Sequence, residues 1–257
     1  MLKSFKNYFF SDIRRFVFGY GWFIGILGVT ASLFYSLERA GLQGLITDVI
    51  GLYDFATNMN GVMIAFVFCA VAFATVYSDD LEQKYIRYSV IRGSLKGYVA
   101  SKAVTIYFSS VLLMIAGSFL FLLLCRTQFP WIEPPQSSYT QLAGCYAWLF
   151  EHEHYWVYCL LSSLHIGLIA GALSNFAAMC SVFITNRALV LAIPAILFLI
   201  GGKVGVGPKG FYTIYSLFAY NRNFEQDWMN FLFVVVLTAV SSLLFAIVSY
   251  WGIKRRI

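Results

Sequence analysis

Between Tyr155 and Asn186 the chain runs for 32 residues without an Asp, Glu, Lys or Arg. A helix of about 20 apolar residues already spans the roughly 30 Å hydrocarbon core of a bilayer, so this run is long enough for a tilted or extended span. Phe16 to Leu37 gives another such run of 22 residues, too long for the apolar core of a signal peptide. Gly61 to Tyr77, Ala103 to Cys125 and Met229 to Gly252 repeat the pattern. With 60% hydrophobic and 12% charged residues and a mean hydropathy of +0.74, the composition excludes a soluble domain of this length. The sequence specifies an all-α integral membrane protein, a single transmembrane domain over residues 1–257. Its net charge of +6 is then read by location and does not imply nucleic acid.

Ala188 to Gly202 is 15 residues long and contains Pro194. It reaches span length only if Lys203 snorkels and Val204 to Val206 extend it. Gly205, Gly207, Pro208 and Gly210 then break the chain before an aromatic run from Phe211 to Tyr220, which reads as a short re-entrant element after span five. The expected spans are about 16–37, 61–77, 103–125, 156–184, 188–206 and 229–252, six in all. Residues 1–15 mix Lys3, Lys6, Arg14 and Arg15 with aromatics, as an interfacial helix does. With both termini and residues 78–102 inside, thirteen Lys and Arg lie on the cytoplasmic side and five outside, which favours N-in, C-in.

Residues 78–102, SDDLEQKYIRYSVIRGSLKGYVASK, hold eight of the thirty charged residues between two apolar runs. Asp79 with Glu82 three positions on has the form of a capping box. Leu81, Tyr85 and Tyr88 share one helical face, and Asp80, Lys84 and Arg87 another. This predicts an amphipathic helix from Asp79 to Arg92, a break at Gly93, and Ser94 capping the next helix.

The order of acid cluster, Tyr85-Ile86-Arg87-Tyr88, Arg92, Ser94, then Tyr98 and Ser101-Lys102 before a span resembles the loop between spans two and three of type-2 ATP-binding-cassette (ABC) exporter permeases. That family usually carries Gly where this chain has Lys84. The resemblance implies that Asp79, Asp80, Glu82, Lys84, Tyr85, Arg87, Tyr88 and Arg92 form a coupling helix docking into a partner ATPase. It also implies a second permease chain, identical or homologous, in the cytoplasmic membrane. ATP and Mg would then belong to the partner, because Gly202-Lys203 is followed by Val204 and lacks the upstream glycine of a phosphate loop. This chain is expected to carry no cofactor or catalysis of its own. Its expected role is export of a peptide, a lipid-like or a drug-like substrate. A membrane scaffold docking another soluble partner is the alternative from a different class.

Other chemistry is sparse. His165 is the ionisable residue deep in a predicted span, and is read as either a neutral imidazole tied to a neighbouring helix or part of a substrate path. Ser174 sits in GALSN, which is not the GxSxG of a nucleophile elbow. His152 and His154 are two apart, so they face different ways on a helix and do not reproduce the i, i+4 zinc pair. The five cysteines have no metal-type spacing, and Cys125 with Cys145 is the pair able to meet outside the membrane.

Overall fold

The computed structural model describes residues 2–39, 48–58, 61–86, 94–132, 145–146, 148–203, 217, 224 and 226–256. Their longer regular elements are all α-helices: α1 (Leu2–Phe18), α2 (Gly21–Arg39), α3 (Val49–Asn58), α4 (Gly61–Val71), α5 (Val76–Glu82), α6 (Leu95–Arg126), α7 (Trp148–Glu151), α8 (Tyr155–Ser181), α9 (Arg187–Lys203) and α10 (Asp227–Lys254). Among the described residues, five stretches are long and apolar enough to cross a membrane: Gly21–Glu38, Gly61–Glu82, Leu95–Arg126, Tyr155–Ser181 and Asp227–Lys254. The chain is a multi-pass helical membrane protein.

The sixth span expected over 188–206 is not established. α9 has 17 residues, a rise of about 26 Å, and its expected extension from Val204 to Val206 lies outside the described residues. So does the expected re-entrant element from Phe211 to Tyr220, apart from Leu217. At the N-terminus the helix expected over 1–15 continues to Phe18, and a turn at Gly19-Tyr20 separates it from α2. Phe10, Val17 and Phe18 stand exposed along α1, with Lys6 and Arg14 each 5.9 Å over the rings of Phe10 and Phe18. Aromatic rings flanked by cations suit a headgroup interface, while the opposite face of α1 turns Asp12 into the protein.

The glycine step of α2 is a packing seat. A Cβ added at Gly21 would lie 3.1 Å from the Ala72 backbone, and one at Gly25 only 2.9 Å from the Leu113 side chain. Small residues at this spacing let α2 settle against α4 and α6, where lipid supplies little driving force and close packing must. α6 is the long strut of the bundle and touches α1, α2, α8 and α10. In α8, 72% of the spanning window is buried against 17% in α10, so α8 is central and α10 peripheral. Hydrogen bonds cross between helices from Thr30 to the Gly117 carbonyl (2.9 Å), Ser110 to that of Cys69 (3.1 Å) and Asn175 to that of Ala103 (3.2 Å). The five cysteines form no disulfide, Cys125 and Cys145 included.

Candidate functional site

The polar segment after α4 is built differently from a helix running Asp79 to Arg92. α5 already starts at Val76, so Asp79 lies inside it and no capping box forms; Thr75 precedes the helix and its hydroxyl donates to Asp79 Oδ2 at 3.1 Å. The helix stops at Glu82 because Lys84 takes φ 55°, the left-handed region that ends an α-helix and that a side chain disfavours. Ser94 is the N-cap of α6, as expected, with its Oγ accepting from Gly97 N at 3.2 Å. Arg87, Tyr88 and Arg92 lie outside the described residues.

Asp80 faces inward, which corrects its expected place on an outward face with Lys84. It is 2% exposed, because three donors from two other helices converge on it. Tyr98 Oη donates to Asp80 Oδ2 at 2.6 Å, Arg15 reaches Oδ1 at 3.2 Å, and Lys102 Nζ stands 3.5 Å from Oδ2. The same ammonium donates to Asp12 Oδ1 at 2.7 Å, while Ser101 Oγ donates to Asp12 Oδ2 at 2.7 Å. Helical spacing explains the convergence: Asp12 and Arg15 share one face of α1, and Tyr98, Ser101 and Lys102 share one face of α6. Two carboxylates are balanced by one ammonium and one guanidinium, and every carboxylate oxygen has a donor. Such balance is required where desolvating a charge costs several kcal/mol.

Asp79 is tied the other way. Its Oδ1 lies 2.9 Å from the Arg187 guanidinium at the start of α9, a helix whose first amides are capped by the Asn186 side chain at 3.0 and 3.4 Å. Adjacent carboxylates on a helix of seven residues thus pin α5 to α1 and α6 on one side and to α9 on the other. Arg256 reaches the same end of the bundle, 5.7 Å over the Phe183 ring. Beyond this node the chain projects: Glu82, Gln83, Lys84 and Tyr85 are exposed, Tyr85 to 46%. Leu81 does pack inward, beside Tyr77, Ile86 and Tyr98. The arrangement has the form of a short lever with a buried charged pivot and a polar, aromatic tip.

Asp12, Arg15 and Arg187 were not singled out from the sequence. Their signal was present in retrospect: Asp12 is the lone acid of a basic N-terminal segment, and Lys102 is the last charge before a span. A lysine that enters lipid needs a carboxylate.

A second polar group lies at the other end of the bundle. His165 is 1% exposed; its Nε2 is 2.8 Å from the Leu217 carbonyl, so Nε2 carries the proton and Nδ1 accepts from Tyr146 Oη at 3.5 Å. The imidazole is a tie between segments remote in sequence. Tyr146 is fixed in turn by its amide, which donates to Asp227 Oδ2 at 2.9 Å. Nearby on α3, burial pushes the Asp54 carboxyl up to about 7, opposed by a 3.0 Å hydrogen bond from Tyr158 Oη and reinforced by the Asp48 charge. At the aqueous edge His152 Nδ1 lies 2.9 Å from the Trp148 carbonyl, and among the described residues no three His, Cys, Asp or Glu side chains gather as a metal site.

No family model matches this chain, and comparisons with curated proteins and with solved structures find no match.

Proposed function

We propose that this chain is the membrane-spanning subunit of an ATP-driven exporter, resembling the type-2 ABC permeases, with ATP hydrolysis on a separate ATPase subunit. The observation that carries the reading is the construction of α5: a short helix continuing a span, held by Asp79 and Asp80 to three other helices, with an exposed tip from Glu82 to Tyr85. A force applied at that tip would pass to α1, α6 and α9 together, because Asp80 and Asp79 tie α5 to all three. Closing ATPases would supply the force, and the tilt of α4 and α6 would change access to a pathway. The position at which the resembled family carries Gly is the one where this backbone takes φ 55°, so the local turn suits that family's residue. A second permease chain would complete the pathway, and a peptide, lipid-like or drug-like molecule would be the cargo.

Purification of the tagged full chain from native membranes tests this. Recovery of a phosphate-loop ATPase in comparable amount, lost when Tyr85 is changed to Ala, is the expected result. Truncation of an interface anchor typically costs about 2 kcal/mol, roughly thirtyfold in affinity. Recovery of a soluble partner without a phosphate loop would replace the transport reading with the scaffold one.

A further inference from the structure

α10 is the least covered of the spanning helices, and two adjoining hollows run along the crevice between it and α6. The first, about 320 Å³, has a floor of small side chains, Ala100 and Ala103 from α6 with Ala239 and Ala246 from α10, between walls that include Phe108 and Leu243. The second, about 330 Å³, shares Ala100, Leu243 and Ala246 with the first and opens beside Lys96 and Tyr250. They form one groove. Its closed end is a polar bridge, where Tyr107 Oη lies 2.7 Å from Thr238 Oγ1 and joins the two helices. From Lys96 to Tyr107 the helix rises about 17 Å, close to the roughly 15 Å of hydrocarbon in one leaflet.

The open end is cationic. Lys96 and Lys254 are both exposed, Lys254 stands one turn beyond Tyr250 on the same face of α10, and Arg255 and Arg256 follow it. Neither hollow is lined by an acidic side chain among the described residues. A helix about 10 Å across and 17 Å long would displace roughly 1,300 Å³, more than both hollows hold, whereas an acyl chain has the length of the groove and a slender section. Small side chains under an apolar trough with a cation at its mouth match one component of the surroundings, a lipid whose headgroup is negatively charged.

We infer that the α6–α10 groove is a binding site for an anionic phospholipid of the adjacent leaflet, with one acyl chain along the alanine floor and the phosphate at Lys96. The site involves neither α5 nor a partner ATPase, so its test stands apart from the transport reading. Purified full chain in mild detergent is offered equal amounts of phosphatidylglycerol and phosphatidylcholine with identical acyl chains, and native mass spectrometry counts the lipids retained. The wild-type chain is expected to retain phosphatidylglycerol about fivefold over phosphatidylcholine, the ratio that about 1 kcal/mol from one lysine near a lipid headgroup gives. Lys96→Gln brings the ratio close to one. Ala103→Phe, or Ala246→Leu from the α10 side of the floor, fills the groove and lowers retention of both lipids, while Lys203→Gln at the far end leaves the wild-type ratio. Equal retention of the two lipids by the wild-type chain, or a ratio unchanged by Lys96→Gln, overturns the inference. So does a filling variant that abolishes a dimer and leaves lipid retention intact, which would assign the groove to a second copy.

Discussion

Lys102 shows what a single charge must do when an apolar helix begins around it. At 3% exposure it holds Asp12 at 2.7 Å and approaches Asp80 at 3.5 Å, so the two carboxylates it neutralises come from helices separated from it by very different lengths of chain. Lys102→Met should destabilise the protein by about 3–5 kcal/mol, because two buried carboxylates are left to one partly exposed guanidinium. Adding Asp12→Asn to that variant should return a large part of the loss, and thermal unfolding of the four proteins of the cycle in detergent reads the coupling. Additive losses would mean that the two groups do not interact. Asp54 is the opposite case, a carboxyl with no ion-pair partner among the described residues. Its folded pKa is raised from 3.8 to about 7, so the folded chain binds the proton more tightly than the unfolded chain does. Stability is therefore greatest below the unfolded value and falls as pH rises towards 7. Asp54→Asn should flatten that slope, measured as unfolding temperature against pH. An unchanged slope would show that Asp54 is not the group responsible.

At the scale of elements, the long helices were legible because bilayer length and uncharged runs decide them, and Ser94 was legible because a hydroxyl ahead of a helix has one favourable use. The end of α5 was not. Nothing in Gln83-Lys84 forbids a helix, yet Lys84 takes φ 55° between Asp80, pinned at 2% exposure, and Ile86, buried at 1%. Nor could periodicity reveal that Asp80 faces inward. It assigns residues to faces of a helix but does not say which face meets α1 and α6, and the donors that settle this lie 65 residues upstream and 18 downstream. The turn itself can be tested. Lys84→Gly should be stabilising by about 1 kcal/mol, since glycine occupies the left-handed region without the penalty of a Cβ. Measured loss of stability in this variant would indicate that the Lys84 side chain contributes more than its backbone strain costs.

For the whole molecule, the buried pivot links chain segments that the sequence could group only by charge. Arg15, Lys102, Arg187 and Arg256 meet at one end of the bundle through Asp12, Asp80, Asp79 and the Phe183 ring. The tip of α5, from Glu82 to Tyr85, is open to solvent there, and the central claim is that this tip receives the push of an ATPase. A photoreactive amino acid substituted for Tyr85 in the full chain, irradiated in native membranes, tests that claim most directly. The account predicts a cross-linked product containing a phosphate-loop ATPase. The same label in place of Trp228, exposed at the start of α10, should give no such product. A Tyr85 label that captures no ATPase, or a Trp228 label that captures it equally well, would contradict the account.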